Sequence, residues 1–244
     1  MADETEPVSI TTPFLLVGFK TYRRATGRGA LELAGMAERV SVETGICVIV
    51  SPQFTDIAPI AEATRVPLLA QHIDPIEPGS NTGQVLPEAI RWAGATGTML
   101  NHSERRLRAD ELAACLHRAG DVGLVTLVCA EGREECTRIA GMGPDILLVE
   151  SPELIGTGRA MSTADPDVVL GTVDAVREVD PRIAVICGAG ITSGDDVTAA
   201  LRLGVVGVGS ASAIVKAGDP LAVMMEMATA LDNGYRGKRV SILA

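Results

Sequence analysis

The stretch LVTLVCAEGREECTRIAGMGPDILLVE, residues 124–150, contains two short apolar runs separated by a segment with helical spacing. The first run, residues 124–129, and the last, residues 146–150, are apolar almost without interruption and do not alternate with polar residues. Such runs are typical of strands that are buried on both faces, as in parallel sheets. The stretch therefore predicts a strand–helix–strand unit with parallel strands.

The same unit recurs on both sides of this stretch. Further apolar runs occupy residues 13–20, 47–51, 67–71, 98–102, 183–188 and 205–210. Segments with helical spacing occupy residues 31–44, 55–63, 87–92, 110–119, 131–140, 165–179, 195–203 and 219–231. Eight such alternations could form two small doubly wound domains or one closed barrel. Because no Ser/Pro-rich or charged linker divides the chain, we expect a single (β/α)8 barrel, with a closed parallel sheet and outer helices.

Composition and charge restrict the class of protein and its partners. The chain has 244 residues, of which 47% are apolar, so it can build a sizeable core and is not expected to be disordered or fibrous. It has 21 Lys and Arg against 31 Asp and Glu, a net charge of −10. This sign disfavours nucleic acid and acidic membranes as partners. An anionic small molecule is still compatible, because a pocket sets its own local potential.

Cysteine usage and the chain ends indicate a cytoplasmic protein. The five cysteines are odd in number and form no C-x-x-C pair, which is typical of a reducing compartment. The acidic start MADETEPVSI is unlike a signal peptide, and no apolar run approaches the ~20 residues of a membrane span. With three histidines and no close His/Cys spacing, we expect no metal site.

In such a barrel, chemistry is expected at the carboxyl ends of the strands. The residues found there are Lys20, Gln71, Asn101, His102, Glu150 and the turns around Gly156, Gly188 and Gly209. Glu150 follows four apolar residues in a buried strand, where a carboxylate is usually paired or functional. The Gly-terminated sequence SPELIGTG that follows it suggests a lid.

Each of these side chains also has a purely structural interpretation. Lys20 and Glu150 could form ion pairs at the rim, and a lone histidine at a strand end is often structural. His102 opens the sequence SERR, which we expect to be a short helical segment whose dipole disfavours imidazolium. His72 is expected to form hydrogen bonds within a loop, and His117 to lie on the surface.

The motifs in chain order are more specific than any one residue. They are GFKTY, AQHID, PGSNTG, LNHSERR, VESPELIGTG, CGAGI and GVGSAS. Together they resemble the triosephosphate isomerases, in particular the short archaeal-type members. The resemblance implies a TIM barrel over residues 13–231, with residues 1–12 as an N-terminal extension and 233–244 as a C-terminal tail. It also implies a cytoplasmic aldose–ketose isomerase of glycolysis and gluconeogenesis, without cofactor or metal, that forms homodimers or homotetramers.

The resemblance assigns roles position by position. Glu150 matches the base that moves a proton between adjacent carbons, His102 the electrophile, and Lys20 the cation that anchors the substrate. Glu104 matches a supporting acid. Positions that hold the substrate or its phosphate correspond to Gly18, Ile155, Gly156, Gly190, Ala211 and Ser212. Thr82 and Gly83 match a loop that packs into a neighbouring subunit beside its lysine.

Three positions depart from the family pattern. Gly18 replaces an asparagine whose amide contacts substrate and organises the lysine, Ser151 replaces a proline at the first hinge of the lid, and Gly209-Ser210 replaces Leu-Leu. Because Gly18 lacks a side chain, an alternative function is also considered: a related aldose–ketose isomerase that acts on a longer, four-carbon sugar phosphate. A third alternative is a non-catalytic phosphosugar-binding paralogue, although such a protein has no need for both a base and an electrophile.

Overall fold

The computed structural model describes residues 8–154 and 156–243. Its strands are β1 (Ile10–Thr11), β2 (Phe14–Gly18), β3 (Cys47–Ser51), β4 (Leu69–Ala70), β5 (Gly97–Leu100), β6 (Val125–Glu131), β7 (Ile146–Glu150), β8 (Ala184–Cys187), β9 (Gly207–Ser210) and β10 (Ser241–Ile242). Strands β2 to β9 form one sheet in the order β3-β2-β9-β8-β7-β6-β5-β4, and every neighbouring pair is parallel. A parallel bridge between Val50 and Leu68 joins the two edge strands. The predicted (β/α)8 barrel is therefore confirmed.

Helices follow the strands around the barrel. They are α1 (Arg28–Thr44), α2 (Ile57–Ala63), α3 (Pro87–Trp92), α4 (Ala109–Asp121), α5 (Gly132–Ala140), α6 (Met161–Ala164), α7 (Pro166–Val179), α8 (Gly194–Arg202), α9 (Ser212–Val215) and α10 (Pro220–Gly234). None of these helices, within the part of the chain that the structure describes, is long and apolar enough to cross a membrane.

Local sequence signals fix many of the helix ends. Helix α1 ends at Gly45 in the left-handed conformation, and α10 begins after Asp219, whose carboxylate accepts the Ala222 N–H. The helix predicted over residues 165–179 starts only at Pro166. Asp165 leaves the helical conformation because a following proline disfavours it, and this separates α7 from the short α6.

The barrel interior is filled by alternate side chains from the strands. Leu16 of β2, Ile49 of β3 and Leu148 of β7 belong to one buried interior cluster, while their neighbours in sequence pack outward against the helices. Because side chains alternate along a strand, Gly18 and Ser51, two residues beyond Leu16 and Ile49, also face the interior. They lie at its carboxyl end.

The two ends of the chain meet on the opposite side of the barrel. Strands β1 and β10 pair antiparallel, with Ile10 opposite Ile242. The Thr12 N–H donates to the Val240 carbonyl at 2.9 Å, and Ile10 is fully buried beside the interior cluster. The pair therefore covers the amino-terminal end of the barrel.

Candidate active site

A cleft of about 330 Å³ opens at the carboxyl ends of the barrel strands. The predicted site residues that line it are Gly18, Lys20, His102, Glu104, Glu150, Gly156, Gly190, Ala211 and Ser212. Ile155 lies outside the described residues. Residues from the ends of five different strands are thus brought together in the place that the strand-end argument predicts.

Lys20 is held by contacts to both its side chain and its backbone. Its Nζ donates to Glu104 Oε1 at 2.9 Å, and its φ of 47° lies in the left-handed region. A non-glycine residue in this region costs about 1–3 kcal/mol unless its surroundings hold it. The Gln71 amide donates to the Lys20 carbonyl at 2.9 Å and to the Ser51 carbonyl at 3.1 Å. Gln71 therefore fixes the lysine backbone, a role that its position at a strand end did not reveal.

The His102 ring has a defined tautomer. The backbone N–H of Glu104 donates to its Nδ1 at 3.1 Å, so Nδ1 is unprotonated and the neutral ring carries its proton on Nε2. That Nε2 lies 3.7 Å from Glu150 Oε2. Burial lowers the pKa of His102, and the nearby cations of Lys20 and Arg106 lower it further against the opposing effect of Glu104.

The prediction of a short helix directly after His102 is wrong. Residues 102–105 form a turn, closed by the Arg105 N–H donating to the His102 carbonyl at 2.7 Å. A helix dipole therefore does not act on the ring. The neutral imidazole results from burial, from the two cations, and from the Glu104 N–H.

Asn101 supports the residue that follows it. Its φ is 59°, its amide donates to the Cys129 carbonyl at 2.9 Å, and its Oδ1 accepts the Leu107 N–H at 3.0 Å. The Nη1 of Arg106 donates to the Asn101 carbonyl at 3.3 Å, and its Nη2 donates to both carboxylate oxygens of Glu135, at 2.9 and 2.7 Å. These contacts lock the backbone on both sides of His102.

Glu150 is a buried carboxyl at the end of β7. Its Oε2 has no hydrogen-bond partner among the described residues. Burial raises the pKa of Glu150 to about 7, although the Lys20 charge opposes this rise. A Cβ at position 188 would lie 3.0 Å from Glu150 Oε1, so Gly188, directly after β8, leaves the space that the carboxyl fills.

Gly190, Ala211 and Ser212 form the opposite side of the cleft from His102. Gly190 has a φ of 76°, and Ser212 begins α9 just after β9. The Ser210 hydroxyl donates to the Ile191 carbonyl at 2.8 Å and ties the turns after β8 and β9 together. Backbone N–H groups in turns of this kind suit an anionic group.

Gly190→Ala is expected to lower the free energy of unfolding by about 2 kcal/mol more than Gly143→Ala. Both glycines have nearly the same positive φ, 76° and 75°. A Cβ at position 190 would lie 1.8 Å from the Arg159 carbonyl oxygen, whereas no described atom lies within 4 Å of one at position 143. Denaturant unfolding followed by circular dichroism measures the difference. Equal losses would show that the backbone conformation, and not the clash, sets the cost.

Thr82 and Gly83 do not line the cleft. They belong to an exposed segment before α3, and Trp92 at the end of that helix is 89% exposed. Their place at a subunit interface stays a prediction. The expectations for the other two histidines agree with their surroundings: His72 is buried beside Asp74, and His117 is 78% exposed.

Comparison with known proteins agrees with this arrangement. A family model described as triosephosphate isomerase matches residues 13–229. A triosephosphate isomerase from Methanobacterium bryantii is 44% identical over 216 residues, which is 88% of this chain and 96% of its own. The enzyme of that name from Methanocaldococcus jannaschii is 47% identical over 203 residues, covering 83% of this chain and 93% of its own. The chain therefore belongs to the triosephosphate isomerase family.

Proposed function

We propose that this protein interconverts dihydroxyacetone phosphate and D-glyceraldehyde 3-phosphate through an enediolate. The observation that carries the proposal is the pairing of Glu150 with His102. A buried carboxyl with a pKa near 7 faces, at 3.7 Å, the protonated Nε2 of a neutral imidazole. An α-proton shift on a hydroxycarbonyl needs such a base and such a hydrogen-bond donor. No cofactor or metal enters the proposed reaction.

The proposed steps use three side chains. Glu150 removes a proton from the carbon next to the carbonyl, and the electron pair of that C–H bond forms the enediolate. The His102 Nε2–H donates to the carbonyl oxygen, stabilises its developing charge and moves protons between the two oxygens. Lys20, held by Glu104, balances the negative charge of the substrate. Glu150 then returns its proton to the neighbouring carbon.

The phosphate is proposed to bind at the opposite end of the cleft. Backbone groups of Gly190, Ala211 and Ser212 lie at the turns after β8 and β9, where barrels commonly bind phosphate. Ile155 and Gly156 are proposed to close over it as part of a lid, which would keep water from the enediolate.

Assembly and compartment complete the proposal. We propose a cytoplasmic homodimer or homotetramer in which Thr82 and Gly83 pack beside the lysine of a neighbouring subunit. The barrel over residues 13–231 would then be the catalytic unit, serving glycolysis and gluconeogenesis.

A coupled assay of the purified protein tests the activity. We expect kcat/KM on glyceraldehyde 3-phosphate of about 10⁷–10⁸ M⁻¹s⁻¹, close to the diffusional range. A four-carbon sugar phosphate is the control substrate and is expected to react far more slowly. Faster turnover of the four-carbon compound would show that the substrate of this enzyme is the longer sugar phosphate and not the triose phosphate.

The pH profile of kcat/KM should report the Glu150 carboxyl. Because the ionised form is the base, kcat/KM is expected to fall about tenfold per unit as the pH decreases below about 7. Burial and the charges of Lys20 and Arg106 lower the pKa of His102, which favours the neutral imidazole. A midpoint near the ordinary glutamate value of 4.5 would instead mean that the carboxyl is hydrated in the free enzyme.

Thr82→Arg is expected to dissociate the oligomer and to lower kcat/KM by at least about tenfold, because a buried unpaired charge at an interface is costly. Sedimentation measures the mass, and the coupled assay measures the activity. Thr229→Arg, at an exposed position on α10, is the control and should change neither. An unaltered mass for Thr82→Arg would place the interface elsewhere.

A further inference from the structure

Two buried oxygen atoms of the cleft have no hydrogen-bond partner. Among residues 8–154 and 156–243, the buried side-chain oxygens without a partner are Ser51 Oγ, Glu88 Oε2 and Glu150 Oε2. Ser51 and Glu150 line the cleft, and Glu88 does not. A buried polar group without a partner destabilises a fold, so a site that retains one commonly uses it. Glu150 has a use in the proposed reaction, and Ser51 has none yet.

Ser51 faces Glu150 across the barrel. Strand β7, which ends at Glu150, is the fourth strand from β3 in both directions around the sheet. Ser51 ends β3, only 1% of the residue is exposed, and its side chain faces the interior above Ile49. A planar enediolate held between these walls would have the base on one side and the Ser51 hydroxyl on the other.

The fold does not use the Ser51 hydroxyl. The backbone carbonyl of Ser51 accepts the Phe19 N–H at 3.0 Å and the Gln71 amide at 3.1 Å, so the backbone is held without the side chain. Rotation about the single Cα–Cβ bond is enough to aim the hydroxyl into the cleft that the residue lines.

The strand next to Ser51 lacks a side chain at the same level. Gly18 is the register partner of Ser51. The atoms nearest to a Cβ at position 18 would be Ala211 Cβ at 3.4 Å and the Ser210 carbonyl oxygen at 3.9 Å, so there is room for one. The resemblance to the triosephosphate isomerases implies an asparagine amide at this position. Ser51 therefore places a polar side chain on the adjacent strand, at the level of the space that Gly18 leaves open.

We infer that the Ser51 hydroxyl is a substrate-binding group that donates a hydrogen bond to an oxygen at the carbonyl end of the sugar phosphate, from the wall of the cleft across the barrel from Glu150. It supplies the polar contact that position 18 lacks in this chain. The inference rests on the proposed function, because it names a further contact in the same cleft.

Ser51→Ala separates this role from a structural one. We expect kcat/KM for glyceraldehyde 3-phosphate to fall about tenfold, while the denaturant midpoint stays unchanged or rises because an unpaired buried hydroxyl has been removed. Ser162→Ala is the matched control. Its buried hydroxyl donates to the Asp196 carbonyl at 3.3 Å, so it should lower the midpoint and leave kcat/KM unchanged. An unchanged kcat/KM, or a lowered midpoint, for Ser51→Ala would overturn the inference.

The Gly18→Asn background provides a second test. In the Gly18→Asn variant an amide lies on the strand next to Ser51. Adding Ser51→Ala to that variant should therefore lower kcat/KM by less than about threefold. An undiminished loss would show that the two positions do not share one contact.

Binding of glycerol 3-phosphate tests the role of Ser51 separately from the proposed isomerase activity. If the wild-type protein did not turn over either triose phosphate, the proposed function would fail. Calorimetry with glycerol 3-phosphate would then test Ser51 alone, with an expected rise of about tenfold in Kd for Ser51→Ala. An equal Kd would overturn the inference.

Discussion

Replacing Glu150 with glutamine is expected to lower kcat on glyceraldehyde 3-phosphate about 10³-fold, within the range of general acid–base contributions. Glutamine keeps the size of the side chain but cannot accept a proton from carbon. Because Glu150 does not bind the phosphate in the proposed site, KM should change by less than about threefold. Steady-state kinetics measure both constants. A variant with near wild-type kcat would exclude Glu150 as the base.

The same variant is expected to be more stable than the wild type at about pH 8. The folded-state pKa of Glu150 is raised from 4.5 to about 7, so folding favours the protonated carboxyl. The resulting penalty is absent below about pH 4.5, grows as the pH rises through this window, and is complete above about pH 7. Glutamine does not ionise, so Glu150→Gln should raise the free energy of unfolding by about 1–3 kcal/mol at pH 8 and leave it unchanged at pH 4.

The control for this variant is its neighbour across the strands. Glu131 is the register partner of Glu150 on β6, but it is exposed and does not line the cleft. Glu131→Gln should change neither kcat nor the pH dependence of unfolding. A gain in stability for both variants would attribute the effect to the net charge of the barrel and not to burial of Glu150.

His102→Gln is expected to lower kcat by about 10²–10³-fold, the cost of losing a preorganised donor at a developing oxyanion. The glutamine amide can donate a hydrogen bond, but it cannot pass protons between the two oxygens of the enediolate. His117→Gln is the control, because that ring is 78% exposed and pairs with Asp121 on the surface. If kcat of His102→Gln stayed within about threefold of the wild type, His102 would not be the electrophile of the reaction.

The barrel and the three side chains Lys20, His102 and Glu150 at its cleft could be placed from the sequence for one physical reason. Uninterrupted apolar runs mark buried parallel strands, and a polar residue directly after such a run must lie at the carboxyl end of the barrel. Lys20, His102 and Glu150 all satisfy this rule. The surroundings of His102 did not follow from it, because a turn and a short helix share the same polar sequence.

Contacts between residues that are far apart in the chain could not be predicted from the sequence. Gln71 reaches back 51 residues to the Lys20 carbonyl, and Ser51 lies beside Gly18 only because β2 and β3 pair in one register. Neither relation leaves a local pattern in the chain. The pairing of Ile10 with Ile242 is another case, since residues predicted to be separate extensions form one small sheet.

The position of Trp92 decides how the unfolding experiments have to be read. It is the single tryptophan of the chain, and its indole is already almost entirely in water in the folded subunit. The indole is surrounded by water in both the folded and the unfolded chain, so its fluorescence emission should shift little and would be a poor measure of unfolding. The same indole would be a sensitive reporter of association, because a blue shift of its emission with rising protein concentration would mark a neighbouring subunit covering the end of α3.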